Sequence, residues 1–562
     1  MIDSHFHIWT QDNSTEVKRA ERAAQLRREA EALGIEKICL IGEHGETIEE
    51  CRAANRIVAK YVEEHPDLFH GWAVVNPRLG EAAVTEFRRA IEADGLIGLK
   101  HHSQWSKMPC SDPKMHPLAE AAVEMNAPLL AHVTHRREPA LNERPHESQT
   151  EDALKLAQQF PDLTFISAHI GAGGDWERRI KNIQHQDNIY LDTSGTNCEA
   201  GQLEMAREYL GTDRLVFGTD TWLLPGVGKL EGADLLPQEK AEIAYRIETL
   251  IPETVPTKLD ETTLEARIES ARRRFLTAKE PCAETVVDVN AFVGNYPFSP
   301  LDASTTDLIA LMDEKGVDKA IVTSIDSVMY RNCHSGNIEL AEKIRGHEDR
   351  LIPFATINPT YPAWEQDLNQ CLDELGMKGV KLLPAYHDYD LNDPGIVALL
   401  NHCADRDVPV TFVATLEDQR KRHPLINLRE HDGIRRDFWA DKQVDDLIDV
   451  LTTCPETDVI IADAWEHAFR IKEEVCTVQQ SGVRLNNTVR SGETLFVLGD
   501  LFMFFTYQGS RIVEQIGVDH LVTGPQLPFK TFESYDNYAN HLPVTDEERQ
   551  QIRSGNILTL LR

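Results

Sequence analysis

No run in the 562 residues is apolar for long enough to cross a bilayer, so a helical membrane span is not expected. The ten cysteines include no Cys-x-x-Cys pair. That removes the signature of a zinc knuckle or a disulfide framework and fits a reducing compartment. The chain opens Met1-Ile2-Asp3-Ser4-His5 without a basic n-region or an apolar h-region, so no secretory leader is indicated and a cytoplasmic location is expected. Positive charge is scarce: 58 basic residues stand against 92 acidic ones, a net charge of −34. Such a surface repels nucleic acid and anionic membranes, and neither is an expected partner. A strongly cationic partner would suit it. The plainer account is a solvated acidic shell of the kind a halophile's acidic proteome carries, because the acids are spread along the whole chain rather than gathered in a tail.

What the chain has is length and repeated apolar runs. A chain this long exceeds one ordinary core, so two domains are expected. Read as a strand, Ile2 to His7 sends His5 and His7 to one face, which makes half of a metal site. A basic, Ala-rich helical stretch at 17–33 follows and ends at Gly34, a good C-cap. Apolar strand-like runs then recur at 38–41, 71–75, 96–100, 128–132, 163–168, 189–192 and 215–217, with helical pattern between them, as at 81–93. Eight such strands alternating with helices predict an α/β fold, a (β/α)₈ TIM-like barrel.

In that fold all strand C-termini meet on one rim. His5 and His7 close the first predicted strand, Lys100 the fourth and His132 the fifth; His169 follows the sixth and Asp220 the eighth. Four histidines and a carboxylate suit a divalent ion, zinc first, with manganese or iron as alternatives. Each residue also has an ordinary reading: His132 as a satisfied core histidine, His169 as a cap on the glycine turn, Asp220 as an N-cap. Those readings hold singly; together, at the ends of four different strands, they give way to a metal.

His5-Phe6-His7, Ala131-His132, Ser167-Ala168-His169 and Phe217-Gly218-Thr219-Asp220 resemble the amidohydrolase superfamily, most closely its amidohydrolase-2 branch, which includes aminocarboxymuconate semialdehyde decarboxylase and related hydrolases and lactonases. The resemblance implies a metal-dependent barrel with His5, His7, His132 and Asp220 as ligands. His169 would ligate a second metal or hold the attacking water. It leaves Lys100 with two roles, a carbamylated bridge between two metals or a partner for a substrate carboxylate. Asp220 and His169 would be the catalytic pair, one taking the proton from metal-bound water and the other binding the water or an oxyanion. His102, His135 and Arg136, the last with Arg137 beside it, are candidates for holding a substrate carboxylate.

The second half repeats the first. Residues 285–292 restart the pattern of the first strand, Gly316-Val317-Asp318-Lys319 echoes Gly34-Ile35-Glu36-Lys37, and 281 positions separate Lys100 from Lys381. A duplication with domains at 1–281 and 282–562 is expected. The copy has lost the ligands: Asn290 and Phe292 stand for His5 and His7, the counterpart of His132 falls near Val413, that of His169 near Ala464, and Gly524-Pro525-Gln526 replaces Gly218-Thr219-Asp220. Only Lys381 survives, with Asp463 and His467 nearby as a weak alternative site. The second barrel is thus read as a degenerate, pseudoenzyme domain that supports the first through a shared face, with residues 384–389 and 501–505 as stretches that would reach its mouth. The expected function is hydrolysis of an amide, lactone or ester in a small carboxylate-bearing substrate. The alternatives are non-oxidative decarboxylation of an unsaturated or aromatic acid by the same parts, and a non-catalytic binding or scaffold protein. Specificity would come from the loops at 107–116, 136–148 and 222–236; a homo-oligomer is compatible with all of this.

Overall fold

A computed structural model of the protein describes every residue except 10–12, 135–145, 171–173, 278–283, 299, 302, 415, 418–440, 465, 482, 486–487, 491, 502–508 and 562, and no side chain at 441–442, 480–490 or 500–501. His135, Arg136 and the aromatic run at 502–505 therefore lie outside the described residues. The contacts divide the chain near residue 278 into two compact units. Among the described residues no helix is long and apolar enough to cross a membrane.

The first unit is a parallel eight-stranded sheet in sequential order: β1 (Ile2–His7), β2 (Lys37–Ile41), β3 (Phe69–Val74), β4 (Leu99–His101), β5 (Leu129–Ala131), β6 (Phe165–Ser167), β7 (Ile189–Asp192) and β8 (Leu215–Val216). Every residue of β2 and β3 is buried, as strands covered on both faces must be. Two backbone bonds close the ring between its first and last strands: Ser4 N–H donates to Phe217 O (3.0 Å) and Asp220 N–H to His5 O (2.7 Å). The helices begin and end where their caps dictate. Glu16–Leu33 starts on Thr15, whose side chain accepts from Lys18 N–H, and stops at Gly34 in the left-handed region (φ 66°). Ile48–Glu64 starts on a Thr47/Glu50 capping box.

The pairing of β1 with β2 slips between Asp3 and Phe6. Asp3 sits in that bulge, fully buried, accepting from His5 N–H (3.1 Å), Thr219 N–H (2.9 Å) and Thr219 Oγ1–H (2.6 Å). It bolts the first strand to the eighth at the level of the rim. Burial pushes its carboxyl up to about 7, against these hydrogen bonds.

The second unit is the same ring: β9 (Val287–Val293), β10 (Lys319–Ser324), β11 (Leu351–Thr356), β12 (Gly379–Leu382), β13 (Val410–Phe412), β14 (Val459–Ile461), β15 (Thr494–Val497) and β16 (Leu521–Val522). Its pairing slips at the same place, between Asp288 and Ala291. Register settles the correspondence between the halves. Lys100 pairs with Val74 and Leu130, and Lys381 with Thr356 and Thr411, so the two lysines are equivalent. One step on, His132 corresponds to Val413. Ser167 pairs with Ala131 as Ile461 pairs with Phe412, which makes Asp463 the counterpart of His169 and moves the expected position by one from Ala464. Both residues hold a positive φ, 71° and 56°, as do Asp220 (56°) and its counterpart Gln526 (59°).

Two strand ends also differ from the expected ones. β4 runs on to His101, so Lys100 lies within the strand; β6 stops at Ser167, so His169 is aimed by a left-handed turn after it.

Candidate metal centre

Six side chains expected at the rim converge in the structure. His5 Nε2 lies 3.2 Å from His7 Nε2 and 2.7 Å from Lys100 Nζ. Asp220 reaches both histidines with Oδ1, 3.5 Å from each Nε2, and His169 with Oδ2, 3.6 Å from Nδ1. His169 Nε2 faces His132 Nδ1 at 2.8 Å. Donor atoms of His5, His169 and Asp220 all fall within 4.8 Å of one another.

The chemistry of this set fits a divalent ion. His5, His169 and Lys100 are buried, while the Asp220 side chain is 24% exposed. Burial, followed by the neighbouring Lys100 and histidines, holds the pKa of His7 far below its ordinary value, and burial with His132 and His5 does the same for His169. These rings are neutral, with lone pairs to give. Among the described residues His7 Nδ1, which is buried, has no hydrogen-bond partner. Burial also lowers Lys100 to about 8, against the pull of Asp220 and Asp192, so its free amine is accessible near neutrality.

The structure adds residues that the sequence did not single out. Asp192, at the end of β7, takes His5 Nδ1–H on Oδ2 (2.7 Å), and on Oδ1 the backbone N–H of His169 (2.6 Å), the N–H of Ser194 (3.1 Å) and the Ser194 hydroxyl (2.6 Å). Burial raises this carboxyl, but His5, Ser194 and His169 outweigh burial and hold it at about 2. With Nδ1–H given to Asp192, His5 keeps its Nε2 lone pair for the rim. His169 Nδ1 meets Ser194 Oγ at 2.9 Å. Because the Ser194 proton is committed to Asp192, the network assigns the His169 proton to Nδ1 and a lone pair to Nε2. Glu147, buried, lies 3.2 Å from His132 Nε2.

Beside these donors runs a wall of flat rings. His102 stacks on His132 (4.2 Å between centroids, 23°) and on Trp105 (4.2 Å, 16°), and His44 and His7 meet Trp105 at 5.2 and 5.5 Å. His102 was expected here as a contact for substrate; Trp105 and His44 were not. His101, next to it, is packed away and buried.

At the matching rim of the second unit none of the four histidines has an imidazole counterpart, Asp220 is replaced by Gln526, and Asp463 stands in place of His169. Lys381 Nζ lies 3.0 Å from Asn290 Oδ1 and 4.3 Å over the ring of Phe292, which belongs to a cluster of buried apolar side chains that includes Val413 and Leu416. Gln526 donates to Leu416 O (3.3 Å), and Ala414 N–H donates to Asp463 (3.2 Å).

The Amidohydrolase family model matches residues 2–266 and 286–473, more than half of the chain. Over 225 residues the chain is 22% identical to 2-keto-4-carboxy-3-hexenedioate hydratase of a Sphingobium species; the match covers 34% of this chain and 63% of that relative, so the chain spans a little under two thirds of its length. Similar solved structures include a 2,6-dihydroxybenzoate decarboxylase with 2,6-dihydroxybenzoate bound (18% identity, 44% of this chain and 97% of that one, TM-score 0.36). They also include 5-carboxyvanillate decarboxylase from Sphingomonas paucimobilis (18%, 43% and 96%, TM-score 0.35) and a dihydroxybenzoic acid decarboxylase from a Polaromonas species with bound manganese (14%, 50% and 97%, TM-score 0.36). On the family match over both halves, this chain belongs to the amidohydrolases, a family of enzymes.

Proposed function

We propose that the first barrel is a metal-dependent hydrolase of a small carboxylate-bearing substrate. The observation that carries this is the convergence of His5, His169 and Asp220 donor atoms, with His7 and Lys100 against His5 Nε2. His5, His7 and Asp220 would hold the ion, zinc or manganese, with His132 and His169 next to them. A divalent ion there supplies a Lewis acid and brings bound water to a pKa near neutrality. Asp220, open to solvent on one side, would be the group placed to accept a proton there. The lone pair on His169 Nε2 makes that ring an acceptor, which favours ligation or proton uptake over donation to an oxyanion. Lys100 faces the same space and supports either of its two roles, a bridge or a counter-ion to a substrate carboxylate.

A second reading is favoured by one feature. The stacked His102–Trp105 wall suits a flat, conjugated ligand, as an unsaturated or aromatic acid undergoing decarboxylation would be. Metal analysis followed by product analysis separates the readings. Protein loaded with zinc or manganese is offered esters, lactones, amides and aromatic acids. A product that gains the elements of water supports hydrolysis; release of carbon dioxide replaces it with the second reading. A chain that takes up neither metal refutes both.

A further inference from the structure

Among the segments that follow β3, β4 and β5 of the first unit lies a cavity of about 340 Å³ lined by Arg78, Lys107, Met108, Asp112, Lys114 and His146. We propose that it is a binding site for a small anion, a carboxylate or phosphate group, set one residue from the support of the metal centre. Three cations and a histidine against two carboxylates, Asp112 in the lining and Glu46 beside Lys107 and Arg78, are a local inversion of sign in a chain of net charge −34. A concave basic site in an acidic surface focuses anions onto itself, because the surrounding charge repels them elsewhere.

The cations are available. Among the described residues no carboxylate lies within ion-pair reach of Arg78 or Lys114, and both side chains are exposed. Lys107 pairs with Glu46 at 2.5 Å, but both partners are mostly solvated, and such a pair is worth little. Asp112 is occupied in part by Lys114 N–H (2.9 Å).

The walls are tied down rather than loose. Met108 N–H donates to Ser103 O (3.0 Å), Cys110 N–H to Ser148 Oγ (2.9 Å), and Ser148 N–H to Ser103 Oγ (3.1 Å). These bonds staple the segment after β4 to Ser148, two residues after His146. His146 precedes Glu147, which touches His132, and Lys107 caps the short helix that carries Trp105. The volume accommodates a small organic anion. If the hydrolase reading holds, the site would receive a second anionic group of the substrate; that role rests on the reading, whereas anion binding itself does not.

The test is calorimetric titration of the full chain at low ionic strength with inorganic phosphate and with succinate. The expected result is one site per chain that weakens with added salt. It should weaken roughly tenfold in Arg78→Gln/Lys114→Gln, the factor that two exposed pairs of ordinary strength amount to, and stay unchanged in His5→Ala/His7→Ala. Both cations are exposed, so an unaltered melting curve for the double variant shows that the fold is kept. Whichever probe binds more tightly identifies the preferred group. Three outcomes overturn the proposal: no binding of either anion, equal binding by Arg78→Gln/Lys114→Gln, or binding lost only with the histidine pair. Because the titration needs no metal, a chain that fails to load metal but binds phosphate here refutes the hydrolase reading alone.

Discussion

Asp192→Asn should weaken metal binding by about 10- to 150-fold while leaving the barrel folded. Asp192 accepts three bonds on Oδ1 and one, from His5, on Oδ2. An asparagine must keep its oxygen toward the three N–H and O–H donors, because its amide would collide with them. That turns the amide NH₂ onto His5 Nδ1, which then has to accept. The His5 proton moves to Nε2, the nitrogen that faces His7 and Lys100. A protonated nitrogen cannot ligate, so the change removes a donor without altering the shape of the site.

The size of the effect follows from the bond lost. A charge-assisted bond of 2.7 Å between buried groups is worth about 1.5–3 kcal/mol, which converts to roughly 10- to 150-fold in affinity. Manganese affinity by calorimetry reads it, and nitrogen NMR of the imidazoles reports the tautomer of His5 directly. Affinity within twofold of the parent, or a His5 still protonated on Nδ1 in the variant, would refute the reasoning. Asp463→Asn in the second barrel is the control for loss of a buried carboxylate elsewhere, since that ring offers no imidazole at the positions equivalent to His5, His7, His132 and His169; it should leave metal binding unchanged.

Three further outcomes follow. Metal analysis of the loaded protein should find the ion in the first barrel alone; loading that survives His5→Ala/His7→Ala would contradict this. Glu86, buried between Arg89, Asn55 and Arg52, is raised by burial but held down at about 2 by those bonds. Its folded pKa lies below the unfolded value near 4.3, so it contributes about 2–3 kcal/mol above that pH and loses it as pH falls toward 2. Urea melts between pH 6 and 2.5 should show this loss, and Glu86→Gln should flatten it. In Gly218→Ala the new Cβ would stand 2.9 Å from Ser4 Oγ and 3.1 Å from His5 Cβ; a cost of about 1–2 kcal/mol in thermal unfolding, with weaker metal binding in the same variant, is expected.

The parts of the site that the sequence revealed are those tied to strand periodicity. His5 and His7 share a face because residues two apart on a strand must, and His132 is legible because it ends an apolar run. Asp192 also ends such a run, but a terminal Asp there reads as a turn residue, and its partners Ser194 and His5 are brought to it only by closure of the ring. Glu147 carries no local pattern; it follows a long connection and meets His132 through space. Trp105 lies in a loop-borne single turn of helix, where side-chain direction is set by a left-handed Lys107 cap. The one-residue displacement of the counterpart of His169, from Ala464 to Asp463, is settled by strand pairing, which leaves no local signature in the sequence.

Comparing the two rings separates what the barrel needs from what its chemistry needs. Asp3 and Asp288 occupy the same bulge and both tie the first strand to the last; in the copy Pro525 stands where Thr219 stood and has no N–H to give, so Asp288 accepts from Leu527 N–H instead (3.0 Å). Asn55 accepts from Val74 N–H and Asn337 from Thr356 N–H, again at one position. These polar groups persist because each satisfies a buried strand end. His5, His7, His132 and Asp220 satisfy no such need with their side chains, and their counterparts are Asn290, Phe292, Val413 and Gln526; Asp192, which does accept the backbone N–H groups of His169 and Ser194, is replaced by Val497. Lys100 behaves like the first group, since Lys381 remains where the counterparts of His5, His7, His132 and His169 carry no imidazole, and it finds Asn290 and the Phe292 face. Its retention is therefore accounted for by packing at the barrel axis. The presence of a lysine on β4 does not by itself argue for a carbamylated bridge, and the decisive number is whether Lys100→Ala removes one ion or none.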